Sequence, residues 1–159
     1  MTLRHERERR ITGNYPHRFE HRLQYADMDS FRHVNNVAIA RLLEEGRAAL
    51  NIEVFGEECL LDPAPGQQLL FANINIAYLL QANYPGTVLV CSAVTAVGNT
   101  SWTLAQAAFQ HGECFAVASA VMVKAREGRP SPLSGEERAK LDRYLFGSNR
   151  LPDAAPRTK

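Results

Sequence analysis

The sequence predicts an α+β fold, a curved antiparallel sheet of about five strands wrapped around one central helix, with a second helix toward the C-terminus. Three observations predict it. Residues 68–80, 87–97, 101–110 and 114–125 are long runs of strand composition, and the last two junctions, GNT and HGE, are hairpin lengths that make neighbours antiparallel. Before them, residues 36–55 carry Ile39, Leu42, Leu43 and Leu50 at offsets of three, four and seven, which is helical spacing. Small residues recur at Ala105, Ala107, Ala108, Ala116, Ala118, Ser119 and Ala120. They let a bulky element approach the sheet closely, and the apolar helix is the bulky element available.

In chain order, residues 1–14 hold four Arg, two Glu and a His with almost nothing apolar, so they are expected to form a flexible arm. Residues 15–146 are expected to be a single domain. Residues 16–25 alternate Phe19, Leu23 and Tyr25 against polar side chains and read as the first strand. Asn35 or Asn36 supplies an amide oxygen able to cap the helix. Pro63, Pro65 and Gly66 mark a loop after the helix. Residues 134–146 open with SGEE and space Leu141 and Leu145 four apart, the pattern of an amphipathic helix packed on the outside. Residues 147–159 carry two Pro and little to bury, and are expected to be an irregular tail.

Composition narrows the function. With 18 Lys+Arg against 17 Asp+Glu, the formal net charge is +1. That balance argues against a nucleic-acid partner held by clustered cations. No apolar run reaches the length of a membrane span, and MTLRHERERR lacks a signal-peptide core, so a cytoplasmic protein without a membrane partner is expected. Cys59, Cys91 and Cys114 are odd in number and share no CxxC spacing; reduced thiols are expected, and no structural metal.

Reactive side chains concentrate in Tyr25-Ala-Asp27-Met-Asp29-Ser-Phe31-Arg32-His33-Val-Asn35-Asn36. This segment joins strand to helix, and a helix N-terminus offers free N–H groups to a developing negative charge. A carboxylate, an imidazole and two amides beside such an end suit acyl-group hydrolysis. There is no GxSxG elbow and no adjoining cysteine, so the catalytic group is expected to be a carboxylate.

At these residues the chain resembles the hotdog-fold thioesterases, in particular the branch containing 4-hydroxybenzoyl-CoA thioesterase and its acyl-CoA thioesterase relatives. Tyr25, Asp27, Asp29, His33, Val34, Asn35, Asn36, Glu44 and Arg47 match that pattern, and the resemblance spans about residues 18–126, including INIAYLLQANYPG and Val123-Lys124. It implies a hotdog fold and hydrolysis of acyl-CoA or acyl-carrier thioesters. It also implies no metal or bound cofactor, and a homodimer or homotetramer with sites between subunits. Carried over residue by residue, Asp29 is the catalytic carboxylate, as base or nucleophile, and Asp27 supports it. The family's usual glycine before the His is Arg32 here, the Asn of carrier-protein thioesterases is Phe31, and the usual helix Tyr is Ile39. A non-catalytic acyl-CoA sensor and a hotdog dehydratase or hydratase are the alternative readings.

A thioester suits so economical a site, because a thiolate leaves with a conjugate-acid pKa of ~8.5, by analogy with cysteine, and needs no strong acid. His33 is expected to orient Asp29, bind the carbonyl or fix the loop. Asn35, Asn36, Arg32 and Tyr78 are expected to contact substrate, set against capping for the amides and core packing for Tyr78. Arg32 is expected to keep a negative φ and to aim its guanidinium at the pocket mouth. Asp29 has a plain alternative as a turn cap. Glu44 and Arg47, three apart, are expected to be a surface or interface ion pair, and Asn73 and Asn75 a solvated or interface surface. Lys124, Arg126 and Arg129 form a basic cluster able to meet coenzyme A phosphates.

Overall fold

The computed structural model describes residues 2–61, 63–64 and 66–148. Five long strands, β1 (His17–Arg22), β2 (Gln67–Tyr78), β3 (Thr87–Val97), β4 (Ser101–Gln110) and β5 (Glu113–Arg126), pair antiparallel in the order β1-β3-β4-β5-β2, and the two-residue β6 (Arg129–Pro130) pairs with β5. The sheet curls around helix α1 (Asn36–Phe55), which runs over β3 and β1, and this is the hotdog architecture. A four-residue turn of helix, α2 (Glu58–Leu61), follows α1, and α3 (Gly135–Asp142) lies near the C-terminus. Among the described residues, no helix is long and apolar enough to cross a membrane.

Helix α1 begins and ends where its sequence dictates. The Asn35 side chain accepts from the Val37 N–H at 2.8 Å, and Gly56, at φ +86°, closes the last turn by donating to Ile52. Leu42, Leu43 and Leu50 are fully buried against Val88, Val90, Leu104 and Phe115. Gly46 sets how close helix and sheet come, since a Cβ there would lie 2.5 Å from Cγ1 of the buried Val90. Gly46→Ala is therefore expected to destabilise the fold by about 1–3 kcal/mol despite alanine's better helix propensity, read as a lower denaturant midpoint.

Strand alternation divides the small residues between two faces. Ala108, Ala116, Ala118 and Ala120 face α1, as expected. Ala105 and Ala107 face outward, where Tyr15 and Phe146 cover them with rings 5.1 Å apart at 79°. The N-terminal arm lies on the same outer face. Residues 3–14 form three 3-10 turns in place of a loose arm, held because Arg4 donates to the Tyr78 carbonyl at 2.7 Å, Arg9 donates to the Ala118 carbonyl at 3.2 Å, and Leu3 packs beside Tyr15. Between arm and sheet is an open groove of about 780 Å³, lined in part by Asn73, Asn75, Arg4 and Arg9.

Helix α3 is shorter than the 134–146 expected. Its capping box is formed, with Ser134 and Glu137 bonded in both directions and Glu137 also held by Lys124 at 2.8 Å, which takes Lys124 out of the basic cluster. Leu141 is buried against Leu50, Val54 and Trp102. After Asp142 the chain leaves the helix because residues 144–146 bond along β3, Val94 to Tyr144 and Phe146 to Val94, leaving Leu145 38% exposed. The tail expected from residue 147 lies, beyond Ser148, outside the described residues.

His17 opens β1 inside the protein, 3% exposed, with Glu53 3.7 Å from Nε2. Burial lowers its pKa, against an opposing pull from Glu53. An unfolded histidine takes up its proton near pH 6.5, so just below that pH the unfolded chain binds more protons than the folded one. The stability is fully present above about pH 6.5 and is lost as the pH falls toward the lowered value. A melting temperature that drops between about pH 7 and about pH 5, less steeply in His17→Gln, is the expected result.

Candidate active site

The segment from Gln24 to Asn36 is built by two carboxylates with different tasks. Asp27 is buried: its side chain accepts from the Gln24 N–H at 2.8 Å and from Arg41 Nη2 at 2.7 Å, and its carbonyl accepts from the Asn35 N–H at 2.8 Å. It anchors the strand end to the first turns of α1. Arg41 bonds in turn to Glu45, which meets His21 Nδ1 at 2.9 Å, so a chain of polar contacts from β1 through α1 holds Asp27. Sequence reasoning missed Arg41 and His21; the four-residue spacing of Arg41 and Glu45 was the available signal.

Asp29 is half-buried and opens a tight turn. The Arg32 N–H donates to its carbonyl at 3.0 Å, its own N–H donates to the His33 carbonyl at 3.0 Å, and its carboxylate accepts from the Phe31 N–H at 2.8 Å. Met28 and Val34 bridge across the base. In this turn Arg32 adopts φ +65°, not the negative φ expected. The reason is the turn itself, a reversal over Asp29–Arg32 whose last residue is left-handed, which lets the Asp29 N–H reach the His33 carbonyl and Met28 and Val34 bridge. An arginine thus bears the strain of a left-handed position. The Arg32 side chain is exposed and makes no hydrogen bond or ion pair among the described residues. Arg32→Gly is expected to stabilise the fold by about 1 kcal/mol, seen as a raised melting temperature.

The other candidates are placed as follows. His33 ends the turn, half-buried, and among the described residues its ring makes no hydrogen bond to Asp29. Asn35 is the helix cap and Asn36, exposed, is the first helical residue. The Val34 N–H donates to the Ala82 carbonyl at 2.8 Å, tying the turn to the loop after β2. Tyr78, on the inner face of β2, is half-buried against the core cluster. Tyr25, Phe31 and Val37 are 74%, 77% and 76% exposed, an apolar rim around the turn. Glu44 and Arg47 do not form the expected surface pair: Arg47 is 5% exposed and bonds to Gln106, because the curled sheet encloses that flank of the helix.

Chemically, the turn presents a carboxylate in the segment that leads into a 20-residue helix. Burial raises the Cys91 thiol to about 12 and the Cys114 thiol to about 11, so neither supplies a thiolate near neutral pH. Among the described residues, no group of three or more His, Cys, Asp or Glu is placed to hold a metal.

The sequence matches the thioesterase superfamily over residues 31–113, just over half of the chain. The chain belongs to that superfamily. The match begins two residues after Asp29. No curated protein sequence matches. Among solved structures, the PA5185 protein from Pseudomonas aeruginosa is 23% identical, with TM-score 0.76 over 86% of this chain and 97% of that one. A Thermus thermophilus thioesterase complexed with coenzyme A and Zn is 22% identical, with TM-score 0.72 over 80% and 92%. A 1,4-dihydroxy-2-naphthoyl-CoA thioesterase from Synechocystis is 15% identical, with TM-score 0.71 over 79% and 95%. These similarities establish the hotdog fold of this superfamily member.

Proposed function

We propose that the protein is an acyl-CoA thioesterase in which Asp29 is the base or nucleophile and the first N–H groups of α1 receive the oxyanion. The observation that carries this is the turn: a half-buried carboxylate, presented by a fixed reversal, in the segment leading into the central helix of a thioesterase-superfamily chain. Water attacks the thioester carbonyl with Asp29 taking its proton, or Asp29 attacks and water releases the acyl group. Either way the products are a carboxylic acid and a thiol. His33, which borders the same turn, orients the substrate carbonyl in this reading. Asn36 and Tyr78 line the approach, and Asn35 and Asp27 hold the geometry. The Thermus relative solved with coenzyme A supports CoA as the carrier.

The working unit is a homodimer. Strand β2 is a sheet edge of 12 residues with Leu70 41% and Phe71 49% exposed, and such an edge pairs readily with a second copy. The test is release of free thiol from short, long and aromatic acyl-CoAs and from the matching acyl-carrier-protein thioesters. Hydrolysis of CoA thioesters above the carrier-protein forms is expected; activity confined to the carrier-protein forms would overturn the choice of carrier.

A further inference from the structure

The loop between β2 and β3, residues 79–86, supplies no group to the hydrolysis, yet it braces the segment that carries Asp29. It is anchored at its start, where the Leu79 and Leu80 N–H groups donate to the Phe115 carbonyl at 2.7 and 3.2 Å. From there it ties to the Asp29 segment on both flanks. Ahead of the turn the Leu23 N–H donates to the Gly86 carbonyl at 2.9 Å, and directly after it the Val34 N–H donates to the Ala82 carbonyl at 2.8 Å. Between these ties the Tyr84 ring meets the Tyr25 ring edge-on, with centroids 5.9 Å apart. Val34 also bridges to Met28 across the base of the turn, so a displaced Ala82 carbonyl displaces the turn with it.

Packing does little to fix the middle of this loop, since Gln81, Asn83, Tyr84 and Pro85 are exposed and Ala82 is its one buried residue. The fixing comes from Gln110, the half-buried last residue of β4. Its Oε1 accepts from the Asn83 N–H at 2.9 Å, and its Nε2 donates to the Asn83 carbonyl at 2.7 Å. The Asn83 N–H and the Ala82 carbonyl are the two ends of one planar peptide group. Gln110 therefore holds the far end of the same peptide whose oxygen receives Val34, and the two hydrogen bonds polarise each other through it. Gly86 leaves the room for this clamp, because a Cβ there would lie 2.7 Å from Gln110 Nε2.

Building on the acyl-CoA thioesterase reading, we propose that Gln110 is a positioning residue for the hydrolysis, one that acts through the Ala82–Asn83 peptide and Val34 to fix the turn from which the Asp29 carboxylate is presented.

Two variants remove the clamp by different routes. Gln110→Met keeps the length of the side chain and deletes both hydrogen bonds, whereas Gly86→Ala places a methyl where the amide lies and pushes it aside. Each is expected to lower kcat for an acyl-CoA by at least about tenfold with KM changed by less than about threefold, because a misplaced reacting group costs turnover more than binding. Gln110→Glu keeps an acceptor for the Asn83 N–H, the half of the clamp that acts on Ala82, and should fall between Gln110→Met and the wild type. In both clamp-free variants hydrogen exchange of the Val34 N–H should quicken by at least about tenfold, reporting the loosened tie. Native kcat in Gln110→Met and Gly86→Ala, at a temperature where both are folded, overturns the proposal even if their melting temperatures fall. A Gln110→Glu variant as slow as Gln110→Met overturns the route through Ala82. If neither the wild type nor any variant releases thiol, it is the thioesterase reading that fails, and Val34 exchange alone then decides whether Gln110 fixes the turn: quickened exchange sustains that placement and unchanged exchange rejects it.

Discussion

Asp29→Asn is expected to lower turnover by about 10³-fold or more while leaving the melting temperature near that of the wild type. The amide oxygen still accepts from the Phe31 N–H, so the turn survives, but the charge that attacks or takes the proton is gone. Asp27→Asn should behave differently. It weakens a buried carboxylate held by Arg41 and the Gln24 N–H, so its first effect is on stability, with activity following as the turn loosens. If Asp27→Asn abolishes thiol release at unchanged stability while Asp29→Asn keeps near-native turnover, the roles are reversed.

The second large effect concerns the open edge of β2. Leu70→Lys combined with Ala72→Pro places a cation and a missing N–H on that edge, at a position where Phe71 and Asn73 already step out of register with β5. Because bulges tolerate proline, the protomer should fold, whereas a partner strand loses both its apolar contact and a ladder bond. Dimer association is expected to weaken by at least about 100-fold, close to 2.7 kcal/mol, as measured by sedimentation. An unchanged dimer in this variant would move the interface away from β2.

Much of this architecture was legible because local signals agree with the global fold. In α1 the helical period, the Asn35 cap and the Gly56 stop all act within one segment, and two short hairpins fix β3, β4 and β5. What escaped depends on distant contacts. The arm reads as loose by composition, yet Arg4 and Arg9 find backbone carbonyls of β2 and β5. Glu44 and Arg47 read as a surface pair by spacing, but the curl of the sheet buries Arg47. At the site, the reactive residues cluster within one stretch of sequence, whereas the φ of Arg32 follows from hydrogen bonds between residues 29 and 33 that propensity does not encode. The support of Asp27 by Arg41, Glu45 and His21 joins three separate elements, and only the folded chain brings them together.

An enzyme turns thioesters over, whereas a sensor merely holds them. The two are separated by the stoichiometry of free coenzyme A released when a large excess of acyl-CoA is mixed with the purified protein. Release is expected to continue linearly to many equivalents per protomer, with an equal amount of free acid and with Asp29→Asn reducing the rate to near the uncatalysed level. Tight binding of acyl-CoA with no thiol released would contradict it and leave a sensor in place of an enzyme.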